Sequence, residues 1–222
     1  DGVDWIRLMY CYPWNFSDEL IERIATSQKI LRYVDMPLQH INSRILRDMR
    51  RNVEREEQSR LIERLRSIDG MVLRTAFIVG YPGESDAEFA ELCDWVRQVE
   101  FDRVGVFAYS TEPGTLAAER PGQIDETVRE ARREQLLALQ QDIHRRKLEA
   151  LVGRELDVLV EGPSEEHPLV LEGRYYGQAP EVDGVVFLSF EQSDAEVAPG
   201  QFVRAEIVST SDYDLLGEVL PR

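Results

Sequence analysis

Three charges interrupt apolar, strand-like runs early in this chain: Arg7 in DWIRLMYCYP, Asp35 in LRYVDMPLQH and Arg74 in VLRTAFIVGYPGE. A charge in a strand covered on both faces is costly unless it is paired or faces a polar cavity. Together they imply an internal Arg–Asp network or a place for a zwitterionic ligand. Asp35 and Arg74, on the middle pair of strands, are the expected ligand contacts, although a salt bridge with no ligand accounts for them equally well. The ends of the runs are more specific. Gly80-Tyr81-Pro82-Gly83-Glu84 leaves its strand through two glycines, which permit close approach of a ligand to the backbone. Ser85 then opens a helix whose free N–H groups face the same mouth. Pro37-Leu38-Gln39-His40 sets an amide and an imidazole at a neighbouring tip, and Ser110-Thr111-Glu112-Pro113-Gly114-Thr115 ends a fourth run, RVGVFAYSTEPGT. Tyr10, Tyr12 and Trp14 can supply an aromatic wall. Each of these also has a plain reading as a turn, a hydrogen-bonded structural histidine, a loop or core packing.

Helical stretches separate the four runs, as in a parallel β/α layer with its chemistry at the strand C-terminal ends. Ser17 caps a helix to about Ser27, and Asn42 or Ser43 opens a short one. Leu61, Ile62, Leu65 and Ile68 mark a third helix, stopped by Gly70, and Ser85 caps a fourth through Phe89, Leu92, Cys93 and Val96. Four strands are too few to close a barrel. The layer is therefore expected to be the C-terminal portion of a larger barrel, a reading that the abrupt start on a strand favours. Pro121-Gly122 breaks the pattern before a long charged helix, about Ile124–Leu151. Beyond Gly153 the period becomes two, over 155–160, 169–175, 185–190, 202–208 and 215–220. Five short strands there predict a small antiparallel, OB-like barrel. The expected organisation is a partial β/α barrel over 1–121, a connecting helix over 122–152 and a small β-barrel domain over 153–222.

The net charge of −16 is unevenly shared: residues 153–222 hold 4 basic against 15 acidic residues, the first 152 hold 22 against 27. So acidic a second part is a poor partner for a phosphate backbone and suits a basic partner, unless the charge serves solubility alone. No run is long enough to span a membrane and no signal peptide is visible, so a cytoplasmic location is expected. Cys11 and Cys93 lie in no metal-ligand spacing.

WIRLMYCYP, YVDMPLQH, RTAFIVGYPGE, VGVFAYSTEPGT, APEVDG and DYDLLGE, in collinear order, resemble the methylthiotransferase branch of the radical S-adenosylmethionine enzymes, and within it the RimO family. The resemblance covers essentially the whole chain, and its last 70 residues resemble that family's TRAM domain. It implies methylthiolation of the β-carbon of an aspartate in ribosomal protein S-twelve, using S-adenosylmethionine and two 4Fe-4S clusters, with sulfur and electron donors as further partners. Three cysteines after the first barrel strand hold one cluster in the family; an N-terminal domain holds the other. Neither set has a counterpart here, so the chain resembles the second half of the radical barrel plus the TRAM domain and is expected to be inactive alone. By the same resemblance, Gln39 and His40 meet the ribose or sulfonium region of the cofactor. Ile78, Gly80, Pro82, Gly83 and Glu84 lie beside the adenine. Phe107, Tyr109, Ser110 and Glu112 lie near adenine or substrate, and Tyr12 and Tyr175 are further candidates for substrate contact.

The sister family that methylthiolates a tRNA adenosine shares this plan. The PLQH and YP tips and the acidic last domain favour the protein substrate over nucleic acid, since Arg174 and Arg204 bring little charge to the aromatics Tyr175, Tyr176, Phe187 and Phe190. A non-catalytic interaction module, which never held a cluster, is the alternative of a different class.

Overall fold

The computed structural model describes residues 2–14, 16–164, 170–190 and 197–221. They form two compact units, Asp1–Ile143 and His144–Arg222. The boundary falls inside the long helix rather than at either of its ends.

The first unit runs β1 (Ile6–Leu8), α1 (Asp18–Thr26), β2 (Ile30–Asp35), α2 (Ser43–Asp48), α3 (Arg55–Arg66), β3 (Val72–Val79), α4 (Asp86–Val99), β4 (Arg103–Ala108) and α5 (Leu116–Glu119). It then takes in most of α6 (Glu126–Glu149). The strands form an open parallel sheet in the order β1-β2-β3-β4. The caps anticipated from the sequence are in place: Ser17 accepts from the Leu20 N–H, and Asn42, rather than Ser43, accepts from those of Arg44 and Ile45. Ser85 and Glu88 form a reciprocal capping box at the start of α4.

Alternation along β3 decides which face is wet. Leu73, Phe77 and Val79 enter the core with α1, α3, α4 and α6, while Arg74, Ala76 and Ile78 keep partial exposure on the other face. Phe77 anchors the core, with the rings of Trp95 and Phe101 edge-on at 6.1 and 5.9 Å.

Glu88 also ties α4 to α2. Arg44 donates to both of its carboxylate oxygens, at 2.7 and 2.6 Å. This interaction, helped by the Ser85 donors and opposed by burial, holds the Glu88 carboxyl at about 2. A depressed carboxylate stabilises the fold above its ordinary value near 4.5 and ceases to do so as pH falls through about 2. Glu88→Gln is therefore expected to cost on the order of 1–2 kcal/mol at neutral pH after solvent screening. Urea titrations should show that deficit closing as the pH is lowered to 2; a pH-independent deficit would assign the loss to packing.

The second unit holds β5 (Glu155–Pro163), β6 (Leu171–Tyr175), β7 (Val186–Ser189), β8 (Phe202–Thr210) and β9 (Leu215–Val219). They close into a barrel in the order β5-β6-β7-β9-β8. Five strands and closure match the expectation, but the barrel is mixed: β7 pairs with β9 in parallel, the other pairings being antiparallel. Val158, Val160, Val186, Leu188, Val203, Ala205, Ile207 and Leu215 fill its interior. Gly173 permits the closest approach of β5 and β6, since a Cβ there would stand 2.9 Å from Val158 Cγ1 and nearer still to the Leu159 carbonyl oxygen. Residue 169, at the expected start of the second strand, lies outside the described residues.

Candidate functional site

The strand tips of the first unit sort into a buried polar lock and an open cleft. The lock lies below the surface. His40, Glu84 and Arg132 are almost wholly buried. Asn42 N–H donates to His40 Nδ1 at 2.9 Å, so the ring proton sits on Nε2, 3.0 Å from Glu84 Oε1. Glu84 Oε2 accepts from the Gly80 N–H at 2.5 Å and from Arg132 at 2.6 Å. Arg132 also donates to the Glu84 carbonyl at 3.0 Å and to Asp86 at 2.6 Å. His40 and Glu84 thus brace the turn after β3 against α6 from below and present no surface to a ligand. Sequence shows a polar residue at a strand tip but not the face it turns to. Arg132, which completes the lock, stands out in the sequence only as one charge among many in α6.

Asp35 is committed in the same way. Its Oδ1 accepts from Arg74 at 2.8 Å, its Oδ2 from the Tyr10 N–H at 3.0 Å and its carbonyl from the Cys11 N–H at 2.8 Å. The Arg–Asp network read from the sequence is therefore real as a pair that also fixes the chain leaving β1. The Arg7 guanidinium stands 4.8 Å from the centroid of the Tyr33 ring.

The cleft has a volume of about 410 Å³ and is lined by Gln39, Ile78 and Tyr109 from the expected set. Tyr81, from the Gly80–Glu84 tip, and Asp48, Met49, Arg50, Arg51, Leu116 and Ala117, which sequence reasoning did not single out, complete it. Gln39 adopts φ +72°, bridging to β3 through Gln39 N–H to the Ala76 carbonyl and Ile78 N–H to the Gln39 carbonyl, both at 2.9 Å. A non-glycine residue in this region stores strain, which accumulates at functional sites. Tyr81 and Tyr109 meet edge-on at 5.5 Å. The Tyr81 hydroxyl donates to the Asp48 carbonyl, whereas the buried Tyr109 hydroxyl has no partner among the described residues.

The remaining expected residues fall outside the cleft lining. Pro82 is buried beside the exposed Gly83, and Phe107 is 60% exposed. The Ser110 hydroxyl donates to Glu112 at 3.0 Å on an exposed loop. Tyr12 is partly exposed, with the Arg51 guanidinium 5.0 Å from its ring centroid. Tyr175 corrects the expectation of substrate contact: it is 6% exposed and packed in the core of the second unit, where its inward parity on β6 puts it.

Neither thiol is poised to ligate metal. Burial, and then the Asp35 carboxylate, push Cys11 up, and burial pushes Cys93 up to about 11. Among the described residues no three His, Cys, Asp or Glu side chains are grouped to hold a metal ion. No helix among them is long and apolar enough to cross a membrane.

Residues 6–96 match the radical SAM superfamily and residues 152–220 match the TRAM domain. The chain is 49% identical over 220 residues to the ribosomal protein uS12 methylthiotransferase RimO of Sorangium cellulosum, covering 99% of the chain and 44% of that protein. Identity to the RimO of Aquifex aeolicus is 44%, over 98% of the chain and 50% of the relative. Both units of the chain are thus similar to RimO proteins. The chain spans about half the length of the curated RimO relatives it matches. The fold agrees with that of a radical SAM enzyme, coproporphyrinogen III oxidase of Escherichia coli, at a TM-score of 0.51 and 18% identity, over 63% of this chain and 32% of the other.

Proposed function

We propose that the chain forms part of a radical S-adenosylmethionine methylthiotransferase acting on the β-carbon of an aspartate in ribosomal protein uS12. The kinship with proteins named for that activity, running through both units, carries the reading. The charge of residues 153–222 supports a basic protein over RNA, because Arg174 and Arg204, the cations beside their aromatics, are already engaged. Arg174 donates to Glu161 at 2.7 Å, and Arg204 to Glu155 and Asp157 at 3.3 and 3.1 Å. Cations committed to carboxylates release few counterions from a nucleic acid.

The cleft fits the cofactor's nucleoside portion: Ile78 offers an apolar face, Tyr81 and Tyr109 offer aromatic rings, and Gln39 also lines it. When bound, S-adenosylmethionine supplies the hydrogen-abstracting chemistry. The residues of this chain bind it, orient it and keep water from it. The iron–sulfur clusters do not fit Cys11 and Cys93, which are too few and held protonated, so no step is assigned to a cluster here. Methylthiolation by this chain alone is not expected, and iron-dependent product formation from it would overturn that.

Affinity for purified uS12 and for an anticodon stem-loop, measured across a salt series, tests the reading. Selective uS12 binding that weakens with salt is the expected result. Preferential RNA binding would move the assignment to the tRNA-modifying sister family.

A further inference from the structure

Tyr10, at the tip that follows β1, adopts φ +54°, the left-handed region that glycine enters freely and a bulky side chain enters only at a cost. Asp35 imposes that conformation. It is wholly buried, its Oδ2 accepts from the Tyr10 N–H at 3.0 Å, and its carbonyl accepts from the Cys11 N–H at 2.8 Å. Arg74, 2.8 Å from the other carboxylate oxygen, holds the acceptor in place. Glycine at residue 10 would satisfy the same hydrogen bonds without strain. The fold instead carries a tyrosine there, 79% exposed, whose ring and hydroxyl make no hydrogen bond, ion pair or ring contact with the described residues. Strain of this kind persists where the surrounding structure over-determines it, and it accumulates at functional positions.

Neighbouring rings show what such a face takes. The Arg51 guanidinium lies 5.0 Å from the centroid of Tyr12, two residues on, and that of Arg7 lies 4.8 Å from the centroid of Tyr33 on β2. An aromatic face attracts a cation through its quadrupole, more strongly as the cation leaves water. On a chain of net charge −16, a cationic group is also the one drawn in from solution. Nucleic acid, whose bases stack on rings as well, is repelled by that same charge.

We propose that Tyr10 is a docking contact for an arginine or lysine of a polypeptide partner, held out toward it by the Asp35–Arg74 pair. The inference rests on the reading of the partner as a basic polypeptide, and it adds a contact in the first unit to the acidic charge of residues 153–222.

Anisotropy titrations of labelled probes with the full chain decide it. The probes are a uS12 peptide rich in arginine and lysine, its version with glutamine at those positions, a scrambled peptide of the same composition and a single-stranded RNA. Titrations at about 0.15 M and about 1 M salt, between which the Debye length falls from about 8 to about 3 Å, separate the contact from long-range attraction. The wild-type chain is expected to prefer the basic peptide to its glutamine version by about 3–30-fold even at the higher salt. Tyr10→Leu, which keeps an apolar side chain, and Tyr10→Gly should both lose most of that preference. Tyr10→Trp should keep or raise it, indole being the better partner for a cation. Tyr10→Gly should also raise the unfolding temperature of the first unit by about 2–4 °C, since it relieves the strain; a purely structural Tyr10 would not separate affinity from stability in this way. A high-salt preference unchanged in Tyr10→Leu overturns the proposal, as does wild-type binding that ignores the basic residues or is absent at millimolar concentration in both salts. Tyr10-dependent capture of the RNA in place of the peptide overturns it too. A Tyr10-dependent preference equally strong on the scrambled peptide sustains the contact and removes the uS12 reading. Selective binding of the uS12 peptide that is indifferent to Tyr10 does the reverse.

Discussion

Glu84→Ala is expected to lower the unfolding free energy of the first unit by about 3–5 kcal/mol, the cost of stripping one partner from a buried ion pair. The carboxylate answers three donors at once: the His40 imidazole, the Gly80 N–H and the Arg132 guanidinium. Alanine leaves the buried imidazole N–H and the Gly80 N–H without that acceptor, and leaves the nearly buried Arg132 only the residue-84 carbonyl and Asp86. Glu84→Gln should fall between, because its amide oxygen can serve Arg132 and Gly80 while its NH2 confronts the donor His40 Nε2–H. The ring cannot move its proton to Nδ1 without opposing the Asn42 N–H. Tryptophan fluorescence in a urea titration reads the effect cleanly, since Trp5, Trp14 and Trp95 all belong to the first unit. A loss below about 1 kcal/mol would mean that water relieves the stranded groups and that the lock is marginal.

This lock also marks where sequence reading stopped. Period, caps and glycine stops made the strand–helix order of the first unit legible, because these are local signals. The parallel pairing of β7 with β9 was not, since a period of two fixes alternation along a strand but not its neighbour's direction. In the site, Gln39 was legible as a strand-tip residue, and Ile78 and Tyr109 only through the family resemblance; all three line the cleft. His40 and Glu84 carried the same signal, yet lie below it, because at the end of a strand one residue of register decides between cleft and core. Arg50 and Arg51 gave a signal that went unused: α2 stops with no glycine at its left-handed position, a local rule broken where a functional residue is to be sought.

Gly80 shows how the same residue can be read correctly for the wrong partner. From sequence, its freedom suggests close approach of a ligand to the backbone. In the fold its φ is +73°, and what approaches is Arg129 of α6: a Cβ on residue 80 would stand 2.9 Å from Arg129 Cβ and closer still to its Cγ. These are the base of that side chain, not its flexible end, so the overlap cannot be relieved by a rotamer change at the tip. Gly80→Ala is expected to cost about 2–4 kcal/mol, combining left-handed strain with overpacking. In an Arg129→Ala background the Cγ overlap is gone, and the cost should fall toward the backbone strain of about 1 kcal/mol plus the remaining Cβ–Cβ contact. A double-mutant cycle read by the same fluorescence measures the difference. Equal costs in both backgrounds would place the whole effect in the turn and dismiss the contact. The coupling matters to the cleft because Arg129 donates to the Tyr109 carbonyl and its guanidinium lies 5.9 Å from that ring's centroid. Displacing Arg129 should therefore loosen Tyr109, so that Gly80→Ala weakens S-adenosylmethionine binding even though residue 80 does not line the cleft.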